Sequence, residues 1–323
     1  MVRLIKPEIH IVSMRIRKKS VNGNGYYYLE ETIRLEKPKV YSIFLGAKRP
    51  KKSQIETFKG RLIDKIYDDL MGKRERVYLT KEQLIEAEKR RRRYAAKVKL
   101  LGKVRQDEKD EIDTVNFVYT TLTTEGVPIT KEDANLAYKL TQKNMKSIRD
   151  ENLRVALDMI KGLRFVKESK IGISIDFILK LHNIIMAEYA EKGPGSIRNV
   201  PAFIYLKSYE KVEEIGFRPT PPNMIKKKLE ELVKWYNENA SKMNALELAS
   251  LLHLRFYTIH PFKDGNKRIS RLLLNKAFFD SGYPMLNISK QSQGYFDALI
   301  RSVEGKNEKP FVEFVYERFI QDI

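Results

Sequence analysis

HPFKDGNKRISR, His260 to Arg271, gathers a histidine, an aspartate, a Gly-Asn turn and two arginines three residues apart. Upstream, ELASLLHLRFYTI reads as a buried helix, and downstream ISRLLLNKAFF reads as another. Between them KDGNK needs a tight turn, which Gly265 and Asn266 permit. The turn feeds a helix N-terminus, where free backbone N–H groups and the positive dipole end bind anions. Arg268 and Arg271 share one face of that helix, so both can reach a single polyphosphate. Asp264 is a hard oxygen ligand beside the anion site, suited to Mg²⁺ bridging phosphates. His260 lies at the other lip, placed to take a proton from an incoming hydroxyl. Residue by residue, the stretch is only a helix–loop–helix corner with surface charges. Taken whole, it groups four phosphate-transfer roles in one segment, which packing alone does not explain.

Composition narrows the chemistry. The 323 residues contain no cysteine, which excludes disulfides, thiolate catalysis and a Cys-based zinc site. Only four histidines exist, at positions 10, 182, 253 and 260, so any metal should be oxygen-bound. Apolar stretches break well short of the ~20 residues a bilayer span needs, and MVRLIKPEIH lacks an apolar signal core, so no membrane association and a cytoplasmic location are expected. Charge is uneven. Residues 1–110 hold 30 Lys and Arg against 15 Asp and Glu, a net of +15, and residues 111–323 hold 32 against 27, a net of +5. The basic third suits a nucleic acid or an acidic partner, or is simply a solvated lysine-rich surface.

The pattern of apolar residues predicts a small β-meander from EIHIVSMRIRK (8–18), the turn VNGNG, YYYLEETIRL and KVYSIFLG. A helix follows with a Ser53/Glu56 capping box, then a second with Thr80 and Gln83 in the same relation. The basic run KRRRR, 89–93, falls in this second helix, with charges spread around several faces and available to phosphates. From about 111 the chain reads as helical over 111–124, 131–148, 150–165, 175–190, 222–238, 244–258, 267–281 and 309–321. GPGSIRNVPAFIYLKS (193–208) interrupts it as a β-hairpin. The fold class is therefore mainly α, with a basic β-plus-helix module at 1–110 and a helical core at 111–323.

HPFKDGNKR resembles the Fic motif, HPFx[DE]GN[GK]R, continued to a second arginine at Arg271. The similarity extends over about 111–320 through ENLRVALDMI, IDFILKLHNIIM, PGSIRNVPAFIYL, RPTPPNMI and GYP followed by YFDAL. It implies an all-helical Fic core with a β-hairpin flap, acting as a protein adenylyltransferase that moves AMP from ATP to a Tyr, Thr or Ser hydroxyl of a target protein. The same resemblance makes His260 the general base, Asp264 the Mg²⁺ ligand, and Gly265, Asn266, Lys267, Arg268 and Arg271 the phosphate site. Pro261 and Phe262 become buried anchors. Lys267 stands where glycine is frequent, adding a cation and restricting the backbone. Removal of AMP, or transfer of another phosphate-containing group, is the alternative on the same site. A rival of another class is a nucleic-acid-binding regulator that uses 1–110, with the core as nucleotide sensor. A homodimer is left open.

Three further segments carry expectations. TLTTEG, Thr121 to Gly126, fits [ST]xxxE[GN], which resembles the inhibitory helix of the family, placed at about 111–126. The resemblance pairs Glu125 with Arg271, over the γ-phosphate position. Read from the residues alone, Gly126 and Pro128 end a helix and Glu125 is its solvated last-turn carboxylate. The flap resemblance assigns Ile197, Arg198, Val200 and Phe203 to docking an extended target segment. Tyr295 is a nucleoside contact or, by its helical spacing, a core residue. His182 and His253 lie in apolar helical patterns and are read as structural.

Overall fold

Three antiparallel strands open the computed structural model, which describes residues 14–35, 37–72, 74–143, 150–207, 214–288 and 294–323. They are β1 (Arg15–Val21), β2 (Asn24–Arg34) and β3 (Pro38–Gly46), paired in the order β1-β2-β3. Asn22 (φ 51°) and Gly23 (φ 79°) both sit in the left-handed region, which a two-residue hairpin turn matched to strand twist requires. Residues 8–13 of the expected first strand lie outside the described residues.

Alternation along β2 and β3 buries Leu29, Ile33 and Tyr41, and the sheet packs against α1 (Lys52–Met71) through Leu62, Ile66 and Leu70. The helix caps two residues earlier than the sequence suggested. Gln54 accepts from the Lys51 N–H at 3.0 Å, while Glu56 instead pairs with Lys59. In α2 (Lys81–Leu100) the expected box forms. The Gln83 N–H donates to Thr80 Oγ1 at 3.2 Å, and the Thr80 N–H donates to Gln83 Oε1 at 2.8 Å.

The run 89–93 is not a free basic patch. Lys89 and Arg90 pair with Glu86 at 2.8 and 3.1 Å, and Arg91 and Arg92 pair with Glu88 at 2.7 and 2.6 Å. Arg93 donates to the Arg34 carbonyl. Helical spacing three and four residues apart brings each acid to two cations, so most of the run is spent inside its own helix.

The chain divides into two compact units between Lys97 and Val98. The second holds α3 (Lys103–Thr124), α4 (Lys131–Lys143), α5 (Glu151–Glu168), α6 (Ile175–Ile185), β4 (Ile204–Lys207), β5 (Glu214–Phe217), α7 (Ile225–Asn239), α8 (Ala245–Ile259), α9 (Asn266–Asp280), α10 (Tyr295–Glu304) and α11 (Lys309–Asp322). Among the described residues the protein is thus mainly helical with two small sheets. Residues α8 and α9 contribute form its centre: every side chain of α8 except Arg255 and Thr258 is buried. Arg255 faces outward to a bidentate pair with Glu308 at 2.6 and 2.8 Å. Among the described residues no helix is long and apolar enough to cross a membrane.

Three elements differ from the sequence pattern. The hairpin is β4 with β5, and residues 193–203 approach it as irregular chain. Gly193 and Gly195 adopt positive φ, and Pro194 and Pro201 cannot donate to a ladder, so pairing begins only at Ile204. Residue 208, the end of the expected hairpin, lies outside the described residues, as do 144–148 of the expected 131–148 helix. Helix α6 stops at Ile185, short of 190, and α10 is a helix the pattern did not reveal.

At Gly162 of α5 the side chains of α6 leave no room: a Cβ there would stand 2.3 Å from Ile185 Cγ2 and 3.6 Å from Leu272 of α9. Gly162→Ala should therefore lower stability by about 1–2 kcal/mol, because overpacking outweighs the gain in helix propensity. Denaturant unfolding monitored by circular dichroism checks this; an unchanged or raised midpoint would contradict the close α5–α6 approach.

Candidate active site

The connection between α8 and α9 runs from His260 to Gly265, and its backbone is unusual at both ends. His260 caps α8 in the left-handed region (φ 51°, ψ 61°), with its N–H donating to the Phe256 carbonyl at 3.0 Å. Such a conformation costs a non-glycine residue about 1–2 kcal/mol and persists only where neighbours fix it. Arg198 is one of those neighbours. Its Nε donates to the His260 carbonyl at 2.8 Å, its two Nη atoms reach the carbonyls of Val200 and Thr220, and its own N–H donates to the Pro261 carbonyl. At 3% exposure Arg198 is a clamp between loop and flap, and its guanidinium is not offered to a target as the flap resemblance implied. Among the other flap residues, Ile197 is half-buried, and Val200 and Phe203 are exposed. Phe203 lies across Gly216 of β5, where a Cβ would be 2.1 Å from its ring.

Asn266 closes the loop from the other side. Its Oδ1 accepts from the Phe262 N–H at 3.0 Å and its Nδ2 donates to the Phe262 carbonyl at 2.8 Å. The side chain is therefore spent inside the loop, which leaves only its backbone for an anion. Phe262 is fully buried and stacks on His182 with ring centroids 3.7 Å apart. His182 accepts from the Gly195 N–H at Nδ1, 2.9 Å, and Nε2 faces the Asp264 carbonyl at 3.2 Å, so its proton belongs on Nε2. One imidazole thus ties flap, anchor and acidic residue together. Gly265 (φ 76°) is required on two counts, since a Cβ would also meet Met186 Sδ at 2.9 Å.

The charged groups collect at the start of α9. Asp264 is partly exposed; its Oδ1 accepts from the Gly265 N–H at 2.6 Å and lies 3.3 Å from Arg268 Nη2. Arg268 and Arg271 are 3% and 1% exposed, yet Nε and Nη1 of the first and Nε and Nη2 of the second have no hydrogen-bond partner. Buried charged donors left unpaired are costly, and an anion with several oxygens is what would satisfy four of them on one helix face. His260 is neutral at ordinary pH, because burial pulls its imidazole down to about 4 against the opposing pull of the Tyr257 carbonyl. His182 is likewise lowered to about 4 by burial.

The end of α3 faces this cluster. Gly126 (φ 83°) and Val127 donate back to the carbonyls of Thr123 and Leu122, a Schellman ending that fixes where Glu125 points. Glu125 is not a solvated last-turn residue: its side chain is 10% exposed. Nor does it pair with Arg271. Its Oε1 lies 3.7 Å from Lys267 Nζ, and Arg271 Nη1 instead donates to the Thr121 carbonyl at 3.3 Å. The helix end reaches Arg271 through its backbone, because Thr121 lies in the last turn of α3 and Glu125, four positions on, is its C-cap residue. Tyr295 is 1% exposed, with the Arg271 guanidinium 5.0 Å from its ring and its hydroxyl 3.3 Å from His253 Nε2. It supports the arginine from within the core instead of lining an open nucleoside pocket.

Sequence reading brought together His260, Asp264, Gly265, Lys267, Arg268, Arg271 and Glu125, and the structure places all of them around the start of α9. His182, expected to be structural, is fully buried; that it and Arg198 hold the loop was not legible, because both lie in segments far from 260–265 in sequence. Among the described residues no group of three or more His, Asp or Glu could hold a metal by itself. A divalent cation at Asp264 would therefore complete its shell with substrate oxygens and water, the usual habit of Mg²⁺.

Residues 172–278 match the Fic/DOC family model. Protein adenylyltransferase fic-1 of Caenorhabditis briggsae is 30% identical over 176 residues, a stretch covering 53% of this chain and 32% of that protein. The chain thus spans about a third of the length of the curated relatives it matches. In fold, it is similar to a Fic domain containing signaling protein from Bacteroides thetaiotaomicron, with TM-score 0.62 and 23% identity over 74% of this chain and 93% of that one. It is also similar to a Fic-1 fragment from Caenorhabditis elegans, with TM-score 0.58 and 22% identity over 84% and 76% of the two chains.

Because His182 is held neutral in the native state but titrates near 6.5 when unfolded, its contribution is full above about pH 6.5 and is lost as pH falls toward 4. The stability gap between the protein and His182→Gln should accordingly narrow over that window. Urea melts at pH 7.5, 5.5 and 4.5 check it; a gap that widens on acidification would show that the imidazole is not buried neutral.

Proposed function

Residues 172–278 form a Fic domain, and on that premise we propose that this chain transfers AMP from ATP to the hydroxyl of a target protein. The observation that carries the proposal is the set of four partnerless guanidinium nitrogens on Arg268 and Arg271, buried beside the N-terminus of α9. They fit the β- and γ-phosphates of a nucleoside triphosphate, with the backbone at Gly265 and Asn266 and the ammonium of Lys267 adding to the cradle. Asp264 is the residue that would hold Mg²⁺, which when bound neutralises developing phosphate charge.

His260 supplies the base. Being neutral, it can accept the proton of a Tyr, Thr or Ser hydroxyl as that oxygen attacks the α-phosphorus. The bond from the α-phosphorus to the bridging oxygen breaks, and pyrophosphate departs toward the arginines. Its lowered pKa makes it a weak base, so most of the rate must come from positioning and charge stabilisation, as is usual for phosphoryl and nucleotidyl transfer. The exposed edge residues of the flap, Val200 and Phe203, and the strand pair β4–β5 would hold an extended target segment by strand addition.

Glu125 acts as a brake on this site. Its carboxylate is buried near Lys267, and its charge is felt by the Tyr257 and Tyr295 hydroxyls, which lie beside Arg271. A fixed negative charge there repels an incoming triphosphate and holds Lys267 away from it.

His260→Ala should abolish self- or target labelling from ATP labelled at the α-phosphate while leaving ATP affinity within about threefold, since the base is needed only for the proton transfer. Persistent labelling would remove His260 as base. Glu125→Gly should raise labelling at least tenfold, about 1.4 kcal/mol in the barrier, and adding His260→Ala should return it to background. Equal labelling in wild type and Glu125→Gly would leave the Schellman ending as the only task of this segment.

A further inference from the structure

The first unit has a surface that the transfer chemistry does not use. Side chains alternate across a strand, so with Leu29, Ile33 and Tyr41 buried toward α1, residues Tyr26, Tyr28, Glu30 and Thr32 share the opposite face of β2. Register sets Lys19, Arg17 and Arg15 of β1 beside Tyr26, Tyr28 and Glu30. It also sets Phe44, Ser42 and Val40 of β3 beside Tyr28, Glu30 and Thr32. Phe44 is 56% exposed and Val40 57%. Phe44 lies 5.8 Å from the Tyr26 ring and 5.5 Å from that of Tyr28, and Lys19 Nζ lies 5.1 Å from the Tyr28 ring.

Three cations on this face meet one carboxylate. Glu30 pairs with Lys19 at 2.5 Å and Arg17 at 3.4 Å, leaving the face net positive. The cations recur at every second residue of β1, about 6.6–6.8 Å apart along a straight line. At its flank Phe44 is exposed and Tyr26 and Tyr28 are half-buried. Rings on a solvated sheet risk aggregation unless something uses them. The more obvious basic run, 89–93, is committed to Glu86, Glu88 and the Arg34 carbonyl.

We propose that this sheet face binds single-stranded nucleic acid. Bases stack on Phe44, Tyr28 and Tyr26, and the phosphate chain follows Arg15, Arg17 and Lys19 along β1. Stacking on aromatic faces beside a row of cations is how sequence-tolerant single-strand binders work. The inference concerns residues 15–44 only and stands independently of the transferase reading.

The test is fluorescence polarisation of a labelled 20-nucleotide oligothymidylate with the 323-residue chain between 50 and 200 mM salt. Binding should weaken with salt, with a log–log slope of about −0.7 for each phosphate neutralised. Phe44→Ala should weaken it roughly tenfold or more at every salt concentration without changing the slope. Arg17→Gln, Lys19→Gln and Glu30→Gln combined, which leaves no unpaired carboxylate, should reduce the slope by about 1.4. Lys52→Gln, on α1, should change neither. Should Phe44→Ala also lower the melting temperature, Phe44→Leu keeps the apolar bulk without the ring and reads the same contact. Absence of binding at 50 mM salt, or wild-type affinity in Phe44→Ala and Phe44→Leu, overturns the proposal. So does tighter binding of a duplex of equal length. Displacement by polyglutamate at equal charge also overturns it, in favour of an acidic protein partner.

Discussion

The site depends on one short turn between two buried helices, which places reactive side chains outward while its own backbone polar groups face inward. Water cannot reach most of those groups, so the protein must satisfy them itself. Asn266 does this for both backbone groups of Phe262, Arg198 for the carbonyls of His260, Val200 and Thr220, and His182 for the Asp264 carbonyl and the Gly195 N–H. Each clamp comes from a different part of the second unit: α9 itself, the flap approach and α6. The left-handed His260 is the strain they jointly hold, and the same clamps fix the flap relative to His260.

A second constraint runs the other way. Arg268 and Arg271 are buried without full hydrogen bonding, which lowers stability by an amount of order 1–3 kcal/mol for each unmet group. Hydrophobic replacements would pack at least as well. What the arginines gain is a rigid fork facing the N-terminus of α9, with little left to reorganise when an anion arrives. The end of α3 exploits that rigidity. Its Thr121 carbonyl takes one Arg271 donor, and its Schellman ending sets Glu125 beside Lys267, so backbone geometry decides where the Glu125 charge is felt.

In the first unit the same electrostatics produce the opposite arrangement. Along α2, spacing of three and four residues ties four cations to two glutamates, so the side chains of a conspicuous basic run are held in ion pairs within the helix while the run stays net positive. On β1 the cations stand at every second position with only Glu30 opposite, and their charge is left outward. Local periodicity determines which cations are tied back into their own element and which stand along one face.

Much of the core was legible in order along the chain. The motif 260–271 specified a turn, a helix N-terminus, a base, an acid and two arginines on one face, because all of these follow from neighbours within about one helical turn. The Asn22-Gly23 hairpin, the Thr80/Gln83 box and the Gly126 ending were equally local. What only the tertiary structure decided were contacts between segments far apart in sequence. Glu125 meets Lys267 and not Arg271, Arg198 clamps the loop instead of a target, Tyr295 lies under an arginine, and His182 joins flap to acid. A sequence pattern states what each residue is able to do; which partner it meets depends on how helices cross, and one turn of displacement along α3 exchanges a carboxylate for a carbonyl at Arg271.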